Sequence, residues 1–527
     1  MGDRTAPGET MMFTFRKRVV GAVVATAIAA LALSGCSSAA SSDSSSAKAN
    51  GGTLTIGTIV ASTTFAANNS AWSNESPYLQ AVYDTLLHAD PDGTVKPWLA
   101  TSWSYNADKT VLTMKLRKDV TFTDGTKFDA TVAAKNLLRF RDGTSPQKAY
   151  LSTLADAKAL DPTTLQLTLS APNPSLLTFL TQNPGLQESP AAFGRPDEKT
   201  NPVGSGPYLL DTKDTVVGST YVFTKNPKYW APQQQHYSKL VMNVYSTPTA
   251  ILNAIKGHQL NGVPLTDNSA IPQVQGAGFT ANAQQLNYFG ILLFDRSGSI
   301  SPALGDVRVR QAINYAFDRK AMLKAVGQGY GEVTSSIFSP DSSGYEKAMD
   351  SYYSYDVNKA KALLKEAGYS AGQITLTMPT TSGFTPATYA LTHQYLSAIG
   401  INVNEVNVAP SSFIGDMLAA KYGSAVMMLK AAPTSWETLT LQVLSTAGWN
   451  PFHTTDPTVE ALAKTIQSGD TEQAAHAAKQ LNEYIVKQAW FAPWYRPQQT
   501  FATDPTTSVQ LQTGNAYPYL WNIIPKK

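Results

Sequence analysis

The chain alternates between two hydrophobic periods. Thr53-Leu54-Thr55-Ile56 carries an apolar residue at every second position, as do Leu112, Met114 and Leu116, and again Leu165, Leu167 and Leu169. A period of two lines such side chains along one face of a half-buried strand. Elsewhere the apolar residues recur at three and four. Val132, Ala133, Leu137 and Phe140 follow Asp129, whose carboxylate can accept from the free amides of a helix start. Asp306 stands in the same relation to Val309, Ala312, Ile313, Ala316 and Phe317, which predicts a long helix. Asp356 precedes Ala360, Leu363, Leu364 and Ala367, with Gly368 where a left-handed helix stop belongs. Short strands interleaved with helices over 527 residues predict an α/β protein of more than one lobe, because one core stops growing at roughly 250–300 residues.

The first fifty residues follow neither pattern. Arg16-Lys17-Arg18 precedes fifteen uncharged residues, 19–33. That run is short for the ~20 residues of a membrane-spanning helix and fits the apolar part of an export signal. Leu33-Ser34-Gly35-Cys36 comes next, followed by a Ser/Ala/Gly-rich tract to Gly52 that cannot bury apolar surface and predicts a flexible tether. The four residues ending at Cys36 resemble the lipobox of bacterial lipoprotein precursors. The resemblance implies that residues 1–35 are removed, that Cys36 is lipidated, and that the body is held on the extracytoplasmic side of the cell membrane. Two or more acyl chains suffice for such an anchor. An ordinary secretory signal with an incidental cysteine is the alternative.

Composition narrows the function classes. Cys36 is the sole cysteine, which excludes a disulfide framework, a multi-cysteine zinc site and an iron–sulfur cluster. The net charge of +3 gives no basic field for nucleic acid, and removal of residues 1–35 leaves 37 Lys and Arg against 36 Asp and Glu. Charged residues make up 15% of the chain, against ~25% in an average soluble domain, with 24 Tyr and many amides in their place.

Six segments in order resemble the family 5 solute-binding proteins of ABC importers, the dipeptide, oligopeptide and nickel binders. They are Pro97-Trp98-Leu99-Ala100-Thr101-Ser102-Trp103; Leu116-Arg117 through Phe122-Thr123-Asp124-Gly125; Gly204-Ser205-Gly206-Pro207-Tyr208; Asn226-Pro227-Lys228-Tyr229-Trp230; Val309-Arg310-Gln311-Ala312-Ile313-Asn314-Tyr315-Ala316-Phe317-Asp318-Arg319; and Lys359-Ala360 through Ala367-Gly368-Tyr369. Read physically, these are structural pieces. Asp124-Gly125 is a turn signal, Gly204, Gly206 and Pro207 fix a tight turn, and Tyr229 and Trp230 pack against a lobe.

The resemblance implies an α/β, two-lobe periplasmic-binding-protein-like fold of type II. Residues 53–288 would form lobe one, with a subdomain inserted at about 83–201. Residues 289–490 would form lobe two, and 491–527 would return to lobe one. It also implies a non-catalytic, monomeric receptor without a cofactor, closing on a small peptide-like or other polar solute and delivering it to ABC permease subunits. Peptide binders of the family carry an Asp that captures the ligand's ammonium. In Leu429-Lys430-Ala431-Ala432-Pro433-Thr434-Ser435-Trp436-Glu437, Ala432 stands at that place and Leu429 at that of the accompanying Trp. Glu437 could substitute only if the local loop differs, and Lys430 suits either an anionic group or an exposed position. The low charge, with Tyr, Trp and amides, suits a neutral polar ligand. The candidate contacts are Asn68, Asn69, Trp72, Tyr288, Lys430, Trp436 and Glu437.

An exported hydrolase of glycosidase or peptidase type is the alternative from another class, and an oligosaccharide or metal chelate the alternative ligand. Ser45-Ser46-Ala47-Lys48 and Ser145-Pro146-Gln147-Lys148 both fit Ser-x-x-Lys, without the accompanying Ser-Asp-Asn or Lys-Thr-Gly. His88, His236, His258, His393, His453 and His476 lack metal-ligand spacing.

Overall fold

The computed structural model describes residues 51–526. The export segment, Cys36 and Ser45-Ser46-Ala47-Lys48 lie outside them. Among the described residues, no helix is long and apolar enough to cross a membrane.

The architecture is organised on one strand, Phe491–Thr503. It lies within a large sheet whose order is Ser424–Lys430, Asn287–Leu293, Phe491–Thr503, Gly262–Pro264, Gly51–Thr58, Tyr237–Val244, Thr220–Lys225 and Tyr208–Leu210. The first half of Phe491–Thr503 pairs antiparallel with Asn287–Leu293 and Gly331–Val333, the second half with Thr280–Gln285 and Gly262–Pro264. Two adjacent chain passages therefore run from one lobe to the other. They exchange partners around Leu286 on one strand and between Tyr495 and Gln498 on the other. Such a pair is a natural hinge, since few dihedrals need to change for the lobes to move.

On one side of this hinge, Leu54, Ile56, Tyr78, Tyr221, Phe223 and Met242 pack with Phe501, Tyr517 and Ile523 from the end of the chain. A separate core, from Leu86 to Leu180, forms under the antiparallel sheet Ala100–Tyr105, Val111–Leu116, Thr164–Leu169 and Leu154–Asp161, with the helix Ala130–Asp142 on its face. The three alternating patterns are strands, and their apolar residues are buried. Asp129 caps its helix by accepting from the Val132 amide at 2.9 Å. On the other side, Phe289, Ile291 and Leu293 face one core, and Tyr288, Leu292 and Phe294 face another. A central strand of α/β type is buried on both faces in this way.

Two expectations need correcting. Asp306 does cap a helix, but it is Val307–Tyr315 and stops before Phe317. Asp318 accepts from the Lys320 and Ala321 amides and starts a new helix, Arg319–Ala325, so the apolar pattern runs past the end of its helix into the link between the two. Gly204 and Gly206 answer a close approach rather than a turn. A Cβ on either would strike the Val82 backbone, and the Gly206 amide donates to the Val82 carbonyl. Gly368, at φ +89°, is the left-handed stop its position predicts.

Candidate functional site

The site begins where the strand Ser424–Lys430 ends. The Ala431 amide donates to the Leu286 carbonyl at the hinge, and Pro433 then turns the chain. Thr434 caps the short helix Ser435–Thr438 by accepting from the Glu437 amide, which places Glu437 in its first turn. The next turn, Leu439–Val443, is a π-helix, and it carries Gln442 back over the strand end. Gln442 Nε2 donates to the Lys430 carbonyl at 2.8 Å, and Tyr288 Oη donates to Gln442 Oε1 at 2.6 Å.

Lys430 and Glu437 meet here. Lys430 Nζ lies 2.7 Å from Glu437 Oε1, with the lysine side chain 31% exposed and the glutamate 1%. Burial pushes the lysine down, but the adjacent carboxylate outweighs it and holds Lys430 above its usual range. The same carboxylate oxygen accepts from Tyr150 Oη at 2.9 Å, a residue 287 positions away on the opposite side of the cleft. Tyr150 stacks on Phe179, with centroids 4.0 Å apart and planes at 6°. Ser175 and Thr434 share a hydrogen bond at 2.7 Å across the same gap. Farther out, Gln467 Nε2 donates to the Pro172 carbonyl and Lys109 Nζ to the Gly469 carbonyl. A cavity of about 350 Å³ lies beside them, lined by Tyr105, Asn173, Ser343, Gln467 and Asp470. The lobes therefore meet through polar contacts, which part more readily than a packed apolar core.

The candidate residues do not form one cluster. Lys430, Trp436 and Glu437 share one segment at the cleft, and Trp436 packs in the core with Tyr288, Leu292 and Phe294. Trp72 is 6% exposed and stands edge-on to Tyr519 at 6.3 Å. Burial pushes the Tyr519 hydroxyl up to about 12, against a hydrogen bond with Thr181 and the charge of Lys430. Tyr288 is fully buried and reaches the cleft only through Gln442. Asn69 is held by Thr144, and Asn68 lines a different cavity with Lys135, Arg139 and Phe193. Ala432 is fully buried, so the segment offers no carboxylate there. Sequence reasoning missed Tyr150, Phe179, Thr434 and Tyr519. No local signal marks them, because each matters only through a partner brought in by the closed chain.

Three of the six resemblance segments converge elsewhere, on Asp84. Trp98 Nε1 and Tyr229 Oη donate to its Oδ1 at 2.9 and 3.0 Å, while Ser205 Oγ and Trp230 Nε1 donate to Oδ2 at 2.7 and 3.0 Å. Burial raises the carboxyl above its ordinary range and the four donors oppose that. Ser145 donates to the Ser70 carbonyl and accepts from Gln147 and Asn183, roles that hold a turn rather than arm a nucleophile. No group of three or more metal-ligating side chains occurs among the described residues.

The fold is that of the type II periplasmic binding proteins. The substrate-binding protein CtaP of an ABC transporter from Listeria monocytogenes superposes with a TM-score of 0.78 at 20% identity, covering 91% of this chain and all of that one. HbpA2 from Haemophilus parasuis gives 0.79 at 21%, covering 90% and 100%. DppA from Helicobacter pylori, solved in complex with the peptide STSA, gives 0.72 at 21%, covering 90% and 98%. The family is more specific. A model described as bacterial extracellular solute-binding proteins, family 5 middle, matches residues 94–451. The chain belongs to this family, whose members are binding proteins rather than enzymes. Among curated relatives, the nickel-binding periplasmic protein of Escherichia coli K12 is 30% identical over 300 residues, 55% of this chain and 56% of its own length. The glutathione-binding protein GsiB of Escherichia coli O1:K1 is 28% identical over 332 residues, 61% of this chain and 63% of its own. The chain thus matches somewhat over half the length of each.

Proposed function

We propose that the protein is the extracytoplasmic substrate-binding component of an ABC transporter, capturing a small polar solute between its lobes and presenting it to membrane permease subunits. The observation that carries this reading is the cross-cleft cluster of Lys430, Glu437 and Tyr150, set beside a two-strand hinge in a family of solute binders. A receptor of this kind works by population. Ligand contacts made by both lobes favour the closed state, and the permease recognises that state. The division proposed is residues 53–288 and 491–527 for lobe one, with about 83–201 inserted, and 289–490 for lobe two. The receptor acts as a monomer without a cofactor, tethered through residues 36–52.

Native mass spectrometry of the purified protein, with and without a denaturing step, tests the function. The expected result is a small solute that co-purifies and is released unchanged. A solute returned hydrolysed, or none from any preparation or added mixture, sinks the reading. The anchor has its own test. Cys36→Ser is expected to move the protein from the membrane fraction to the soluble extracytoplasmic fraction, since a single residue carries the acyl chains. Unchanged fractionation would refute it.

A further inference from the structure

Resting on the binding reading above, we infer that the cleft selects an uncharged ligand rich in hydroxyl or amide groups, anchored by Glu437 and Trp72. Glu437 is fully buried. Its Oε1 takes both donors, Lys430 Nζ and Tyr150 Oη, whereas its Oε2, also buried, finds no partner among the described residues. A bare buried carboxylate oxygen is costly, so this position calls for a donor.

Lys430 decides what kind of donor. The Lys430–Glu437 pair at 2.7 Å is already neutral as a unit. A ligand ammonium at Oε2 would set a second cation against one carboxylate, and desolvating that cation would find no equal return. A hydroxyl or an amide N–H supplies the hydrogen bond without the charge. The site therefore differs in logic from an isolated acid that captures an ammonium, because its counter-ion is built in.

Trp72 supplies the complementary anchor. Its indole Nε1–H is buried and without a partner among the described residues, and an indole can only donate. The ligand must bring an acceptor to it. Tyr519 links the two anchors, edge-on to Trp72 on one side and within electrostatic reach of Lys430 on the other. The stacked Tyr150 and Phe179 add a flat apolar surface. Because Tyr150 covers Glu437 from the opposite lobe, the ligand enters when that bond opens at the hinge. A sugar and an end-blocked peptide share this chemistry.

The test titrates the protein with three probes of similar size: cellobiose, N-acetyl-dialanine amide and free dialanine. One of the two uncharged probes is expected to bind about tenfold or more tightly than free dialanine. Which one binds identifies the source of the hydroxyl or amide groups. Lys430→Met leaves the Glu437 charge unbalanced and should shift the preference toward free dialanine by about tenfold. Lys430→Met combined with Glu437→Gln should restore the preference for an uncharged probe. If Lys430→Met does not fold, Trp72→Phe, which keeps an aromatic wall and removes the donor, should weaken the uncharged probe about tenfold. Tighter binding of free dialanine by the parent, or an unmoved preference in folded Lys430→Met, overturns the inference and leaves the receptor function standing. If no probe binds, the co-purified solute decides: a free ammonium on it overturns the inference, and its absence supports it. If no solute is found by either route, the binding function fails and this inference with it.

Discussion

Asp84→Ala is expected to lower the unfolding free energy by about 4 kcal/mol, read as an earlier urea transition at neutral pH. The estimate follows from what the carboxylate holds. It lies 3% exposed and gathers two indole N–H groups, a phenol and a serine hydroxyl, from positions 98, 205, 229 and 230. Removing it leaves four buried donors at once, each worth on the order of 1–2 kcal/mol, with relaxation and water recovering part. Asp84→Asn should be nearly as damaging. An amide keeps one acceptor oxygen, but its NH2 would face an indole N–H, which cannot accept, beside a hydroxyl that must turn to do so. Trp98→Phe, which removes a single donor, should cost only about 1–2 kcal/mol. Transitions for Asp84→Ala and Asp84→Asn within 1 kcal/mol of the parent would show that water serves these donors equally well.

This network also explains what was legible in the sequence. Three of the ordered segments, those carrying Trp98, Ser205 and Tyr229-Trp230, meet at one buried acid, yet Asp84 itself belongs to none of them. A carboxylate whose partners lie up to 146 residues away has no local signature. Strand and helix patterns were readable because a period of two or 3.6 is imposed by one-sided burial, which acts on neighbouring residues. That logic failed where the apolar stripe ran past its helix end, at Ala316 and Phe317, and only the Asp318 cap marks the break. The candidate site was legible in part. The absence of an acid at Ala432 could be read directly, and Glu437 and Lys430 were visible as charges on the same segment. That they pair with each other, and that Tyr150 reaches Glu437 from 287 positions away, follows from tertiary contacts and from no local pattern. Asn68 and Asn69 illustrate the converse. Amides in the loop after the first strand suggest a ligand, but Asn69 is taken up by Thr144.

The second large effect is expected at Glu188, where Glu188→Gln should stabilise the protein at pH 7.5 by up to about 4 kcal/mol. Glu188 is fully buried, and its Oε2 accepts weakly from the Ala67 amide at 3.3 Å and lies 3.4 Å from Arg139. Arg139 is committed more closely to Glu198, at 2.7 Å. Burial, with the Glu198 charge adding to it, pushes Glu188 up to about 8. The sign follows from the two states. Below the ordinary carboxyl range both folded and unfolded chains hold this proton, and Glu188 costs nothing. As pH rises the unfolded chain releases the proton first, so stability falls by up to about 1.4 kcal/mol per pH unit until the folded value near 8 is passed. Glutamine keeps the shape and an acceptor for Ala67 but has no proton to lose. The stabilities of parent and variant should therefore coincide near pH 4 and separate progressively toward pH 8, measured as thermal midpoints across that range. A variant less stable than the parent at pH 7.5 would mean that the Arg139 pairing outweighs burial and that Glu188 is ionised in the folded protein.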